Sequence, residues 1–584
     1  MSIRIFEAIC PRLRLELSRF YKKTIWKLFP DYLYSKSSGF TDSIDTSGGG
    51  EFEFHCCDLR SKASSYLNGE FFYLMEYNLT PSESPHDWFF DYKSQYLWSN
   101  ERWYKDYKIP PRVGVDVKRV WEVSRFNFLP VLALDYHQNN NISSLNGLLS
   151  YVSCFNNSNK PFTGINWYYS MDVGIRIFNL LVSMKTISNR VSGNELESIK
   201  LMISHGYYHV INNLENYRGR TNNHYLCNVL GVFSYLYVAK PTKCRLKSIK
   251  KFSLSFEREL RRQFNQDGSS FEGSSYYHRL SLECVLYTYL IIYNINQEYK
   301  DIVFVSEDSK KIIYKAVVYY IELSYNGKLP MFGDNDSGVI FSLALENELI
   351  NKEDRRYLPE LESLIKWLGF DSENEVKYDY SPIFESMFPC KPNIDFSELN
   401  LDNITKPFLN TPLLEFSNEN FIYIEGSKLI KVMNFPDAGI IVMSTSKAKL
   451  YFKYTNFMGC HSHNDLFQVS ILSDSIEVED NGTFEYSSFK RLNDINKSYL
   501  QHNGPKDKSS ILVDYIDGYN ITADVEMSFG AAKATIKLGD FYLSRSVFFR
   551  NEGFMVIDSS NLEIKKSTLN IGSHYQYGHV TKIK

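Results

Sequence analysis

Between residues 115 and 345, apolar positions recur at steps of three and four. Ile199, Met202, Ile203, Tyr207, Val210, Ile211 and Leu214 form one such set. Leu282, Val285, Leu286, Tyr289, Leu290 and Tyr293 form a second, and Ile312, Ile313, Ala316, Val317, Tyr320 and Ile321 a third. At 3.6 residues per turn, each set lies on one helix face. The spacing predicts amphipathic helices in series joined by polar loops, as in a toroid or solenoid of helical hairpins. No unit of fixed sequence repeats, which disfavours a regular repeat solenoid.

After about residue 400 the period falls to two. Phe421, Tyr423 and Glu425 alternate with Ile422 and Ile424, and short apolar runs follow at 440–444 and 450–454. Phe467, Val469 and Ile471 share one parity, and Ile476 and Val478 come after Ser473, Asp474 and Ser475. That is the pattern of a β-hairpin. Helices first and strands second predict a multidomain α and β chain. Residues 1–110 are read as a partly helical N-terminal segment, 111–345 as the toroid, 346–410 as an acidic, proline-containing linker, and 411–584 as an antiparallel β-sheet domain.

Composition narrows the function classes. Hydrophobic residues make up 43% and charged residues 23% of 584, which suits a soluble globular chain. The formal net charge of -3 gives no global basic field, so nucleic acid is not expected as a partner. An acidic substrate would need a local cluster of cations. The nine cysteines contain no CxxC pair and read as mostly free thiols. No apolar run approaches the roughly 18 residues of a membrane span. Charges interrupt the N-terminus before a signal-peptide core is reached. A cytoplasmic location is expected on that basis, with the periplasm as the alternative. Aromatic residues reach 16%; their rings suit sugar faces, although most are expected to pack the core.

Five of the twelve histidines, His224, His278, His461, His463 and His502, sit in compact polar motifs. In RTNNHY (220–225) an asparagine opens a helix, where it can cap free amides or stand beside His224 as a donor. In DGSSFEGSSYYH (267–278) a Gly- and Ser-rich loop keeps backbone open to ligands and leaves Tyr276 and Tyr277 at its rim. In GCHSHND (459–465) His461 and His463 are two apart, so an extended chain points both the same way. With Asp480 and His502 they could form a zinc set, or they could be hydrogen-bonded only. GDNDSG (333–338) lacks the spacing of a calcium loop and reads as a structural turn.

Taken in order, DVKRVWEVSRF (116–126), GINWYYSMDVGIR (164–176), NNHYL (222–226), the two loops above, HSHNDLFQVSI (461–471) and VEDNGTF (478–484) resemble the heparinase II/III family of polysaccharide lyases. The resemblance runs over about 110–580. It implies an N-terminal incomplete (α/α) toroid followed by a C-terminal antiparallel β-sandwich, shorter than usual because family members continue past the position of Lys584. It implies that Asn223 and His224 belong to the substrate site, that Tyr277 (or the adjacent Tyr276) is the catalytic tyrosine, and that His461 is a cleft histidine from the sheet domain. His463, Asp480 and His502 match zinc ligands, with Asn481 where the family has proline. The implied reaction is β-elimination on a uronate of an acidic polysaccharide.

Around this centre Glu272, Tyr276 and His278 are candidate substrate contacts. Arg125, Arg176, Arg218 and Arg220 are candidates for further acid groups, since a guanidinium matches a carboxylate or sulfate fork. Trp167 is a candidate stacking ring. Two other readings stay open: a glycoside hydrolase using two of Asp267, Glu272 and Asp334, and a non-catalytic glycan-binding protein.

Overall fold

The computed structural model describes residues 11–47, 49–71, 77–78, 85–216, 220–299, 304–335, 338–343, 358–372, 374, 376–393, 421–456, 460–479, 497–507, 516–517, 519–560, 564–565, 573–576 and 579–582. The three periodic sets fold as helices Glu197–Asn212, Ser275–Asn296 and Glu307–Leu323. An inner row of Leu129–Asn139, Ser170–Ile187, Asn223–Val238 and Ser275–Asn296 packs side by side. Outside it, Ile142–Ser158 lies on Glu197–Asn212, and Lys243–Gln263 on Glu307–Leu323.

The two layers differ in sequence for a physical reason. Lys243–Gln263 buries Arg245, Ile249, Phe252, Phe256 and Leu260 along one stripe, as a helix with one wet face does. Ser170–Ile187 buries every residue except Lys185, so no single apolar stripe marks it. It crosses Asn223–Val238 at backbone contact: a Cβ on Gly231 would lie 2.5 Å from the Cα of Gly174. Only glycine permits that approach.

The described residues within 346–410 do not behave as a linker. They include helices Pro359–Trp367 and Ser381–Met387, whose Leu361, Leu364, Ile365, Ile383 and Phe384 join the toroid core. Two of the acids there, Glu360 and Glu362, are buried and occupied. Glu360 accepts from the Leu343 amide at 2.6 Å, and Glu362 from the Tyr320 hydroxyl at 2.7 Å. The toroid therefore extends past 345.

Two five-stranded antiparallel sheets follow. The inner one runs Glu477–Val478, Val469–Ser473, Ala448–Lys453, Ile440–Thr445, Leu429–Phe435. The outer one runs Asp524–Ser528, Ala531–Leu538, Phe541–Arg550, Gly553–Ser560, Phe421–Tyr423. The expected hairpin forms with Ile471 opposite Val478. Alternation along the inner sheet serves two cores. Met433, Phe435, Ile440, Val442 and Tyr451 join the toroid core, whereas Val432, Ile441, Met443, Leu450 and Phe452 meet Ala534, Leu543, Val547 and Val556 of the outer sheet. The middle layer is thus covered on both faces.

Polar clamps fix the toroid to the inner sheet. Asp267 accepts from the Asp437 and Ala438 amides at 2.8 and 3.0 Å. Lys449 reaches the carbonyls of Ile321, Glu322 and Ser324 at 2.6–3.1 Å, satisfying the open end of helix Glu307–Leu323. The Met331 amide donates to Glu479 at 2.8 Å.

Candidate active site

The helix starts at the toroid–sheet junction place the polar motifs. Asn222 caps Asn223–Val238, its side chain accepting from the His224 amide at 3.2 Å. That leaves Asn223 free for another task. Its backbone N–H and side-chain amide both donate to Glu272, at 2.8–3.0 Å, and its Oδ1 is buried with no hydrogen-bond partner. Ser274 caps the next inner helix, accepting from the Tyr276 and Tyr277 amides at 3.2 Å each. Its own hydroxyl donates to the Asp334 carbonyl at 2.6 Å. Asp334 is thereby tied to the start of helix Ser275–Asn296.

That turn approaches the sheet domain closely. Gly333 has φ +71°, and a Cβ there would lie 2.4 Å from the His461 carbonyl and 2.7 Å from the Gly273 carbonyl. The Asp334 amide donates to the same His461 carbonyl at 2.7 Å. The Asp334 carboxylate then takes three partners: His461 Nδ1 at 3.1 Å, His463 Nε2 at 3.1 Å and Lys497 Nζ at 2.7 Å. Burial opposes its charge. The two imidazole hydrogen bonds and the lysine nonetheless hold it well below the usual carboxylate range. His461 and His463 do reach the same side, as their spacing implies, although they lie in an extended loop rather than in a strand.

The ring of His461 stacks on Tyr277, with centroids 3.4 Å apart and planes 11° from parallel. Its Nε2 is 3.7 Å from Glu272, the acid that holds Asn223. Tyr277, Asn223 and His461 therefore form one cluster with Glu272 at its centre. Tyr276, the alternative tyrosine, lies buried with the Arg279 guanidinium 5.5 Å from its ring centroid.

His224 pairs with Glu215, Nδ1 to Oε1 at 3.1 Å. Burial works against the imidazolium, but the adjacent Glu215 carboxylate outweighs it and raises the His224 pKa. Glu215 also accepts from the Met171 amide at 2.8 Å and from Asn228 at 3.2 Å. Beyond His224 stands Tyr169, ring to ring at 5.0 Å, and beyond Tyr169 stands Lys105. The Lys105 Nζ is 5.1 Å from the Tyr169 ring centroid and 4.2 Å from that of Tyr168.

No family model and no curated protein sequence matches this chain. Solved structures do. A heparinase III crystal structure aligns over 96% of this chain and 79% of its own length, with a TM-score of 0.52 and 13% identity. The fold is that of heparinase III. A heparan sulfate lyase HepC mutant from Pedobacter heparinus aligns over 94% and 84% of the two chains, at a TM-score of 0.46 and 15% identity. A Streptomyces coelicolor A3 chondroitin AC lyase aligns over 90% and 69%, at 0.44 and 9%.

Within this heparinase III fold several expected substrate contacts are corrected. Arg176 is fully buried, bonded to Ser124 and to the Asn166 carbonyl, and its guanidinium sits 4.5 Å from the Phe155 ring centroid. Trp167 is 0% exposed and donates to the Asn159 carbonyl at 3.2 Å. Neither offers a surface to a sugar. Arg125 is likewise consumed, by Glu122 and by Asp172 at 2.7 Å. His278 points away from the cluster: Nε2 meets the Ala316 carbonyl at 3.1 Å, and burial lowers its pKa to about 4. Glu272 is 0% exposed and acts on Asn223 rather than on solvent. Arg220 is exposed at the approach to Asn223–Val238. Arg218 and Asp480 lie outside the described residues.

Sequence reasoning missed Glu215, Lys105 and Lys497, and it gave Asp334 only a structural turn. The acid nine residues before His224 was the available signal for Glu215. Nothing local marks Lys105, which the chain brings in from far upstream. For the metal set, the His463 and His502 rings lie 5.4 Å apart. His463 binds Asp334 through Nε2 while its buried Nδ1 has no hydrogen-bond partner. That is the arrangement of an imidazole oriented by a carboxylate with its second nitrogen available to a metal. Among the described residues no group of three metal-type donors forms.

Proposed function

We propose that this chain is a polysaccharide lyase that cleaves a uronate-containing acidic polysaccharide by β-elimination. The observation that carries the reading is the cluster in which the Tyr277 phenol, from the toroid, stacks on His461, from the sheet domain, beside Asn223. It brings together the groups elimination needs: a base, a donating ring, and an amide that Glu272 holds in reserve for the sugar carboxylate.

The C5 proton of a uronate is weakly acidic because the neighbouring carboxylate is already negative. His224 and His461 would donate to that carboxylate and to the enolate-like intermediate, and Asn223 would join them once its side-chain amide, which donates to both Glu272 oxygens, turns to the sugar; each well-aimed donor in such a role is worth on the order of 10²–10³ in rate. Tyr277, as phenolate, takes the C5 proton. The electron pair forms the C4–C5 double bond as the C4–oxygen bond breaks, and the Tyr277 hydroxyl returns the proton to the leaving oxygen. Glu272 and Glu215 orient Asn223 and His224. Asn223 is 0% and Tyr277 4% exposed, so the loop carrying His461 must draw back to admit a sugar.

His463 and His502, with Asp480, would hold a zinc ion, which would tie the loops of the sheet domain together and fix the orientation of the imidazoles. Elemental analysis of purified protein tests this: about one zinc per chain is expected, and a folded, active, metal-free protein contradicts it. A hydrolase reading needs two carboxylates flanking the bond. Glu272 and Asp334 are both committed to amide and imidazole partners, and Asp267 clamps the sheet domain.

The test is a panel of acidic polysaccharides read by ultraviolet absorbance and mass spectrometry. Lyase action gives an absorbing unsaturated uronate at the new chain end, one water lighter than the hydrolysis product. Products lacking that unsaturation would overturn the reading.

A further inference from the structure

Resting on the lyase reading, we propose that Lys105, with Tyr168 and Tyr169, forms a second acid-binding subsite that holds a carboxylate or sulfate on the sugar next to the one undergoing elimination. Two of the four expected arginines are not available for this: Arg125 and Arg176 are buried in bonds to the toroid. Lys105 is the cation the fold sets on the His224 side. Its ammonium donates to the Tyr168 carbonyl and sits among the rings of Tyr168, Tyr169 and Tyr104 at 4.2, 5.1 and 5.5 Å.

No described carboxylate forms an ion pair with Lys105. The two acids nearest in charge, Glu215 and Asp172, are committed to His224 and Arg125. Arg19, from helix Pro11–Leu28, adds positive charge on the same side. Burial lowers the Lys105 pKa to about 8, so the fold carries a cation it does not neutralise. An incoming anion would restore the balance.

The rings argue for a sugar as carrier of that anion. Tyr168 and Tyr169 are only partly buried, and flat aromatic faces with polar edges suit a pyranose ring. Tyr169 touches both Lys105 and His224. The subsite is thus continuous with the elimination centre, one sugar along.

The experiment compares the full-length protein with Lys105→Met and Lys105→Arg. Calorimetry measures binding of an unsulfated uronate oligosaccharide and of its sulfated counterpart, and steady-state assays separate KM from kcat. Loss of a charge-assisted hydrogen bond predicts affinity about tenfold or more weaker and a matching rise in KM for Lys105→Met, with kcat little changed and Lys105→Arg close to wild type. Loss with both probes assigns a carboxylate, and loss with the sulfated probe alone assigns a sulfate. The melting temperature of Lys105→Met should hold or rise, because an uncompensated buried charge has been removed; a merely structural lysine would lower it. Wild-type affinity and KM in Lys105→Met for both probes would overturn the proposal while leaving the lyase reading intact. If wild-type protein binds neither probe and yields no unsaturated product, the lyase reading falls first, and this inference with it.

Discussion

Two acid–imidazole clusters flank the candidate site, and they are built differently. Glu215 and His224 both come from the toroid, nine residues apart, and Glu215 is further anchored by Met171 and Asn228. Asp334 instead draws His461, His463 and Lys497 across the junction from the sheet domain. The first cluster is internal to one body and sets the charge of an imidazole. The second holds two bodies in register as well as orienting a ring. The same pair of residue types therefore carries different consequences when broken.

The largest effect is expected at the junction. Asp334→Ala removes the shared acceptor of two imidazoles and a lysine. Breaking a buried pair from one side costs on the order of 3–5 kcal/mol, read as a lower urea midpoint. Turnover should fall by at least about 10² because His461 loses its orientation. Unchanged stability would mean that the Asp267 and Lys449 clamps alone hold the halves together. In the toroid, Glu215→Gln should lower the unfolding free energy from urea titration by only about 1–2 kcal/mol and shift the pH profile instead. The sign follows from the raised His224 pKa. The pair's contribution from His224 is full below the ordinary imidazole value of about 6.5 and is lost as pH rises through the raised folded value. Glu215→Gln should move the alkaline limb of activity to lower pH; an unmoved limb would detach His224 from that limb.

These contrasts bear on what could be read from the chain. Outer helices such as Glu197–Asn212 are legible because one face is wet, and the hairpin ending at Val478 is legible because its parity holds. Arg176 looked like a ligand because a helix buried all round gives no periodic sign of which side meets a groove, and Trp167 because the three-residue turn ahead of that helix is too short to show one. Helix Pro359–Trp367 hid behind Glu360 and Glu362, acids whose partners come from Leu343 and Tyr320. Of the residues in the NNHY, SSYYH and HSHND motifs, Asn223, Tyr277 and His461 meet in the fold. The role of Asp334 was not legible, because it acquires its partners only when the sheet domain docks.

The smallest expected effect comes from two histidines buried in the toroid core, away from the clusters. Burial lowers His205 and His278 to about 4. A histidine depressed in the fold takes up its proton more readily when unfolded. Stability is therefore intact above about 6.5 and falls as pH drops toward 4, by on the order of 1–2 kcal/mol per residue at pH 5. His205→Gln and His278→Gln should flatten that fall in urea titrations; an unchanged slope would place the acid sensitivity elsewhere.

The joining of the two halves around one phenol is tested most directly with Tyr277→Phe. On a uronate polymer that the wild type converts to unsaturated product, the variant should lose about 10²–10⁴-fold in rate while still binding the polymer and unfolding at the wild-type urea midpoint. Retention of near wild-type ultraviolet-absorbing product by Tyr277→Phe would contradict the account.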